Sequence, residues 1–112
     1  GVRPFDALGW PYLDVLASVD ALVAKPGYGT FAEAGFASRD TLAVPRDDWP
    51  ESPHLEDWLA RHARVARIGM DAVRAGRFGD GLAELASRPA RTPATGDGAA
   101  EIADAIAARL DR

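Results

Sequence analysis

The segment best suited to chemistry is a glycine-rich turn in the first third of the chain, Lys25-Pro-Gly-Tyr-Gly-Thr-Phe-Ala-Glu33. A short apolar run, Ala21–Ala24, precedes it, and a helical pattern of apolar residues follows it. Glycines at such a turn let a ligand approach the backbone, and the free N–H groups of a helix start attract an anion such as a diphosphate. Thr30 adds a hydroxyl donor and Lys25 adds a positive charge. The segment therefore predicts an anion-binding turn.

A purely structural interpretation fits the same residues. Thr30 and Glu33 have the spacing of a capping box, in which each side chain satisfies a backbone N–H group at the start of a helix. Gly27 and Gly29 would then serve only to form the turn. The two interpretations compete for Glu33, because a carboxylate folded back onto the helix start is less free to reach a ligand. Both stay open at this point.

The turn also matches the dinucleotide-binding pattern G-x-G-x-x-A over residues 27–32, with Asp47 at about the 20-residue distance of the acidic partner. Two features depart from that pattern. A helix precedes the strand, whereas the dinucleotide turn normally follows the first strand of its fold. Pro45 and the residue after it also separate Asp47 from the second predicted strand. Dinucleotide binding is therefore the weaker alternative.

Short apolar runs alternate with helical patterns along the chain. The sequence predicts strands over 21–24, 41–44 and 65–68, and helices over 10–19, 30–38, 52–62, 70–75, 81–87 and 99–110. Ser52 is the predicted N-cap of the third helix, with Pro53 in its first turn. Such alternation indicates an α/β fold, namely a truncated Rossmann-like parallel sheet of about three strands with helices on both faces. Its first strand would have an open edge that a missing N-terminal portion or a second copy could cover.

The predicted organisation is a single partial domain over residues 1–112. A β-α core covers residues 1–69, and a helical C-terminal segment covers 70–112 with a linker over 88–98. The linker is assigned from its prolines and glycines. Because the first residue is Gly1 and not Met, we expect that the chain was cut from a longer protein.

Composition excludes several functional classes. The net charge of −4 argues against nucleic-acid binding, which requires a basic face. No apolar run approaches the roughly 20 residues of a membrane-spanning helix. The absence of cysteine excludes disulfides and thiolate metal sites and suits a cytoplasmic protein. His54 and His62 have no third ligand at metal spacing, so we predict neither a metal site nor a cofactor.

The order of residues from Asp20 to Ala34, followed by Val44 to Glu51, resembles the C-terminal domain of GT-B glycosyltransferases. The resemblance is to the family of the peptidoglycan N-acetylglucosaminyltransferase. It is closer still to the glycosyltransferase-like half of arabinokinases, which share the pattern K-x-G-Y-G-T-x-x-E-A and an Arg-Asp loop ending in glutamate. It covers roughly Gly9 to Ile68 and implies the nucleotide-sugar-binding half of a transferase.

What the resemblance implies can be assigned residue by residue. It places the nucleotide diphosphate on Gly27, Gly29 and Thr30 and the ribose on Glu33. It places the base near the backbone of Gly9 and Trp10, and the donor sugar against the loop 46–54. In that loop Ser52-Pro53 replaces the glutamine pair of the peptidoglycan enzyme, and Arg46 and Glu51 are the expected substitutes. The implied ligand is UDP-sugar or a related nucleotide sugar. A GT-B catalytic base usually lies on the N-terminal domain, so catalytic residues stay unassigned and we do not expect this fragment alone to transfer sugar.

An alternative from another class is a non-catalytic assembly module that pairs through the open first strand, giving a homo-oligomer. Among single residues, Trp49 is expected either to stack on a ligand ring or to cover the sheet edge. Asp47 is expected to pair with Arg46, and the arginines at 61, 64 and 67 to form a solvated face. Trp58 is expected in the core.

Overall fold

The predicted alternation of strands and helices is confirmed in the computed structural model, which describes residues 1–111. A 3₁₀ helix, Phe5–Leu8, comes first. It is followed by α1 (Tyr12–Ser18), β1 (Ala21–Ala24), α2 (Tyr28–Ala37), β2 (Asp40–Ala43), α3 (Ser52–His62), β3 (Val65–Arg67), α4 (Met70–Arg74), α5 (Gly79–Ser87) and α6 (Gly98–Leu110). Each predicted strand is found within one residue of its expected ends, so the fold is α/β as the sequence indicates.

The three strands form one parallel sheet in the order β1-β2-β3. The register pairs Ala24 with Ala43, and Ala43 in turn with Arg67. The central strand β2 is buried from Thr41 onward, as an apolar strand covered on both faces should be. Within the described residues β1 pairs only with β2, so the predicted open edge is present.

Helices cover both faces of the sheet, which confirms the predicted layers. One core lies under α2 and α3, and the other lies under α5 with contributions from α4. The buried members of the first are Phe31, Ala34, Ala43, Leu55, Leu59, Ala63 and Val65, and those of the second are Leu42, Val44, Ala66, Ile68 and Leu85. Because side chains alternate along a strand, Leu42 and Ala43 reach opposite cores. The short central strand therefore holds the two layers together.

The closest helix contact involves a glycine to which the sequence patterns assign no role. A Cβ atom on Gly35 of α2 would lie 2.5 Å from ring atoms of Trp58 on α3. Only a residue without a side chain lets these two helices approach so closely. Trp58 is half-buried against the first core, and its ring also packs against His62 at 4.8 Å between centroids. The core position predicted for Trp58 is confirmed.

Part of the predicted linker is held against the body of the protein. The buried Ala94 donates its backbone N–H to the carbonyl oxygen of Gly35 at 3.0 Å. Ser38, in a left-handed conformation at φ 51°, donates its hydroxyl to the carbonyl oxygens of His62 at 2.7 Å and Arg91 at 3.2 Å. The linker thus crosses the C-terminal ends of α2 and α3. Among residues 1–111 no helix is long and apolar enough to cross a membrane.

Candidate functional site

The carboxyl ends of the three strands bring three connecting segments together. Val44 donates its backbone N–H to the carbonyl of Ala24 at 2.9 Å, and Ile68 donates to the carbonyl of Ala43 at the same distance. The segments that follow β1, β2 and β3 therefore leave the sheet side by side. Open α/β sheets bind ligands at this edge.

The segment after β1 leads directly into α2, whose start differs from the prediction. Gly27 is the N-cap, in an extended conformation, and the backbone N–H of Phe31 makes the first helical hydrogen bond to its carbonyl at 3.0 Å. The predicted capping box is wrong, because Thr30 is the third helical residue and no side chain caps the helix. The helix begins two residues early since Tyr28 and Gly29 adopt helical geometry. The N–H groups of Tyr28, Gly29 and Thr30 consequently have no acceptor within the helix.

The glycines of the turn are not required by the backbone. Neither Gly27 nor Gly29 has a positive φ angle. A Cβ atom on Gly29 would meet nothing within 4 Å, and one on Gly27 would meet only the carbonyl oxygen of Lys25 at 4.0 Å. Turn formation and internal packing therefore do not explain either glycine. Their structural effect is to leave bare backbone beside the free N–H groups.

The Glu33 carboxylate lies on the side of α2 that faces α1. It lines a crevice between the two helices that includes Leu13 and Phe36. Burial raises the pKa of Tyr12, and the negative charge of Glu33 raises that pKa further. Gly9 and Trp10 come just before Tyr12 in the chain.

The Glu33→Gln substitution should lower the pKa of Tyr12 without returning it to the ordinary value of 10.0, because burial is the larger of its two causes. The pKa is raised, so the folded state favours the neutral phenol. The contribution of Tyr12 to stability is then present below pH 10 and is lost as pH rises through its folded-state pKa. Tyrosinate absorbance during a pH titration measures this.

The titration is best made in a Tyr28→Phe background, because the chain has two tyrosines. Asp14→Asn, which removes a nearby carboxylate on α1, is the control and should leave the pKa of Tyr12 where it is. An unchanged pKa in the Glu33→Gln protein would show that the carboxylate does not face α1.

The segment after β2 forms the wall of a cavity of about 310 Å³. The Arg46 guanidinium lies over the Trp49 ring, 3.8 Å from its centroid, and both line this cavity. The predicted pairing of Arg46 with Asp47 is absent from the ion pairs within residues 1–111, because the guanidinium stacks on the indole instead. Glu51 is the N-cap of α3 and lies outside the cavity lining. Of the two residues expected to face the donor sugar, Arg46 lines this cavity and Glu51 does not.

Two polar residues of the cavity, Glu56 and Ser52, contact each other, and the sequence predictions assign no role to Glu56. Glu56 is buried, and its carboxylate accepts a hydrogen bond from Nε of Arg67 at 2.8 Å. Ser52, the predicted N-cap of α3, is instead its first residue, and its hydroxyl lies 3.5 Å from Glu56. The sequence contained one indication of this ion pair, namely the position of Arg67 near the carboxyl end of a predicted strand.

The predicted solvated arginine face is confirmed for Arg61 and for Arg67, whose side chain is 66% exposed, and is wrong for the half-buried Arg64. Arg67 pairs with Glu56, while Arg64 makes a two-pronged ion pair with Asp40, with N–O distances of 2.9 and 2.6 Å. Hydrogen bonding to Asp40 raises the pKa of Arg64. The error has a physical origin. Arg64 and Asp40 are 24 residues apart and meet only because β2 and β3 are neighbours in the sheet.

Comparisons with known proteins add no family assignment. The chain matches no protein-family model, no curated protein and no solved structure. The observed features are thus the three-stranded parallel α/β sheet and a carboxyl edge that carries an uncapped helix start, a buried carboxylate and the guanidinium groups of the half-buried Arg46 and the exposed Arg67. The resemblance to GT-B domains stays a prediction based on the motif residues.

Proposed function

We propose that the carboxyl edge of the sheet binds a nucleotide sugar, with its diphosphate at the first turn of α2. The observation that carries this proposal is the uncapped start of α2 at the end of β1, where Gly27 and Gly29 leave the backbone bare for no internal reason. The N-terminal end of a helix has a partial positive charge and free N–H donors, which suit a diphosphate. The GT-B-like order of residues makes a UDP-sugar the proposed ligand.

The surrounding side chains have distinct proposed roles. Thr30 and the exposed Lys25 supply a hydroxyl donor and a positive charge at the diphosphate. Glu33 binds the ribose hydroxyls, with the base against the backbone of Gly9 and Trp10. The absence of a capping role for Glu33 supports this assignment, because its carboxylate is not held by the helix start.

The donor sugar is proposed to lie near Arg46, at the segment after β2. The proposal concerns binding and does not extend to sugar transfer. A cytoplasmic location is part of the same proposal, because a chain without cysteine suits a reducing compartment.

Titration calorimetry with UDP, pyrophosphate and uridine tests the proposal. We expect saturable binding of UDP and weaker binding of pyrophosphate. In the Glu33→Ala protein, UDP affinity should fall by about tenfold, while pyrophosphate affinity stays within about twofold, because a lost hydrogen bond to a charged group costs about 1.5–3 kcal/mol. NADH is titrated separately, as the ligand that the dinucleotide alternative predicts. Saturable binding of NADH without binding of UDP would favour the dinucleotide alternative, and no saturable heat with millimolar UDP would reject the proposal.

A second candidate function is assembly through β1. The specific observation is that the outer edge of β1 has no partner strand within the described residues and that Val23 there is 39% exposed. An unpaired strand edge is a template for pairing with another chain. Sedimentation velocity over a range of protein concentrations tests this function. A dimer that forms as the concentration rises and that Val23→Lys disrupts would support assembly. A monomer at every concentration would reject it.

A further inference from the structure

A second pocket lies beside the glycine turn, on a flank of α2 next to the Glu33 crevice, with Ala32 common to both. It has a volume of about 330 Å³ and is lined by Tyr28, Phe31, Ala32, His54, Leu55 and Trp58. Tyr28 is the first residue of α2 and His54 lies in the first turn of α3. The pocket thus opens between the first turns of two helices. The residues predicted to bind the diphosphate and the ribose do not line it, and the predicted donor-sugar loop 46–54 reaches it only through His54.

The walls of this aromatic pocket are apolar and preorganised. Phe31 is fully buried and Leu55 is 9% exposed, so both form a fixed floor. The Trp58 ring is held between the bare backbone of Gly35 and the ring of His62. A side chain that is already fixed in the free protein loses little conformational entropy when a ligand binds.

The polar atoms of the pocket are confined to its rim. Tyr28 is 64% exposed and His54 is also exposed, so the phenol and the imidazole are the polar groups at the mouth. No lining residue carries a carboxylate, an ammonium or a guanidinium group. Pockets that bind small organic ligands have this design, with apolar and aromatic walls and a few placed polar groups.

The crevice between α1 and α2 provides a useful comparison within the same chain. It is also apolar, but it is lined by Leu13, Leu16, Ala32, Phe36 and Ala37 together with the Glu33 carboxylate. It has one aromatic side chain and no aromatic rim. A ligand ring can form an offset or edge-to-face pair with each aromatic side chain that it reaches, and the aromatic pocket offers more of them. The two crevices therefore differ in the shape of ligand that they favour.

We propose that the aromatic pocket binds a planar aromatic ring of a small neutral molecule, with a hydrogen-bonding atom at the edge of the ring. The ring packs against Trp58 above the buried Phe31, Tyr28 closes the outer side, and His54 exchanges a hydrogen bond with the polar edge. The proposal does not require a nucleotide sugar at the glycine turn, because Gly27, Gly29, Thr30 and Glu33 do not line the pocket. It assigns a ligand-binding role to Trp58 in addition to its packing role.

Amide and indole N–H NMR shifts during a titration with indole test this inference. Indole is planar and carries one N–H group at its edge. We expect saturable shifts at Phe31, Leu55 and the Trp58 side chain, which line this pocket and not the α1–α2 crevice. Tyr28→Ala should weaken the binding by roughly fivefold, since an aromatic pair contributes about 0.5–1.5 kcal/mol beyond its buried area. Tyr28 is largely exposed, so its removal should leave the fold intact.

Two controls make the outcome decisive. Tyr12→Ala removes the other tyrosine, which is likewise the first residue of its helix, and should change indole affinity by less than about twofold. Cyclohexanol has a hydroxyl but no flat ring and should bind more weakly than indole. The proposal would be overturned if indole gave no saturable shift, or if cyclohexanol bound as tightly as indole. It would also be overturned if the shifts spread equally into the α1–α2 crevice, or if Tyr28→Ala left indole affinity unchanged.

Discussion

The Gly29→Asp protein is expected to lose UDP affinity on the order of a hundredfold while becoming slightly more stable. The new carboxylate would stand in the first turn of α2, where a Cβ atom meets nothing within 4 Å. There it repels a bound diphosphate, because like charges about 4 Å apart interact by about 4 kcal/mol near a protein surface. The same carboxylate interacts favourably with the helix dipole, by about 0.3–1 kcal/mol. Binding and stability should thus change in opposite directions.

Calorimetry and urea unfolding measure the two quantities on the same protein. Gly79→Asp is the matched control, because Gly79 is the first residue of α5 and its Cβ position is also open. It should stabilise the fold by a similar amount and leave UDP affinity unchanged. Equal losses of UDP affinity in the two proteins would point to net charge and not to a site at α2. Unchanged affinity in the Gly29→Asp protein would place the diphosphate elsewhere.

The Gly35→Ala protein is expected to be less stable than the unmodified chain by about 1–3 kcal/mol, the usual cost of inserting a methyl group into a packed contact. Its Cβ atom would lie 2.5 Å from the Trp58 ring. Relief requires the ring to leave its place against His62 or the two helices to separate. Because a Gly-to-Ala change inside a helix normally stabilises it by about 0.5–1 kcal/mol, a loss of stability is specific to this contact.

Urea unfolding provides the measurement, and Gly29→Ala in the same helix is the control. Gly29 has an ordinary backbone conformation and open space, so its replacement by alanine should be neutral or stabilising. A double-mutant cycle with Trp58→Leu isolates the contact, and the cost of Gly35→Ala should nearly vanish in that background. A Gly35→Ala protein as stable as the parent would show that α2 and α3 are farther apart than described.

Local patterns were sufficient to predict the elements of the fold. The apolar run Ala21–Ala24 and its counterparts over 41–44 and 65–68 each became a parallel strand, because an uninterrupted short apolar segment is typical of a strand buried on both faces. The helices followed from their own periodicity. Helix starts were less predictable. Tyr28 and Gly29 carry no capping signal, so the sequence alone favoured Thr30 as the start of α2.

The candidate site was only partly predictable, for a reason that lies in the distances along the chain. The glycine turn and Arg46 were found because each belongs to one contiguous segment with a recognisable order. Glu56 and Arg67 were missed because a buried carboxylate is defined by what surrounds it. Its partner comes from β3, 11 residues further along the chain. The aromatic pocket has the same origin, since Tyr28 and Trp58 lie on different helices.

The α/β class and the glycine turn between the first strand and the following helix are predictable from the amino-acid order, because strand burial, helical periodicity and turn residues are local properties. What the glycines do depends on packing between elements that are distant in the chain. Gly35 is needed for the approach of Trp58, a contact between helices that no local pattern encodes. Gly27 and Gly29 are needed for nothing inside the chain, which becomes visible only when every neighbour is in place. The bare backbone that they leave lies at the N-terminal start of α2.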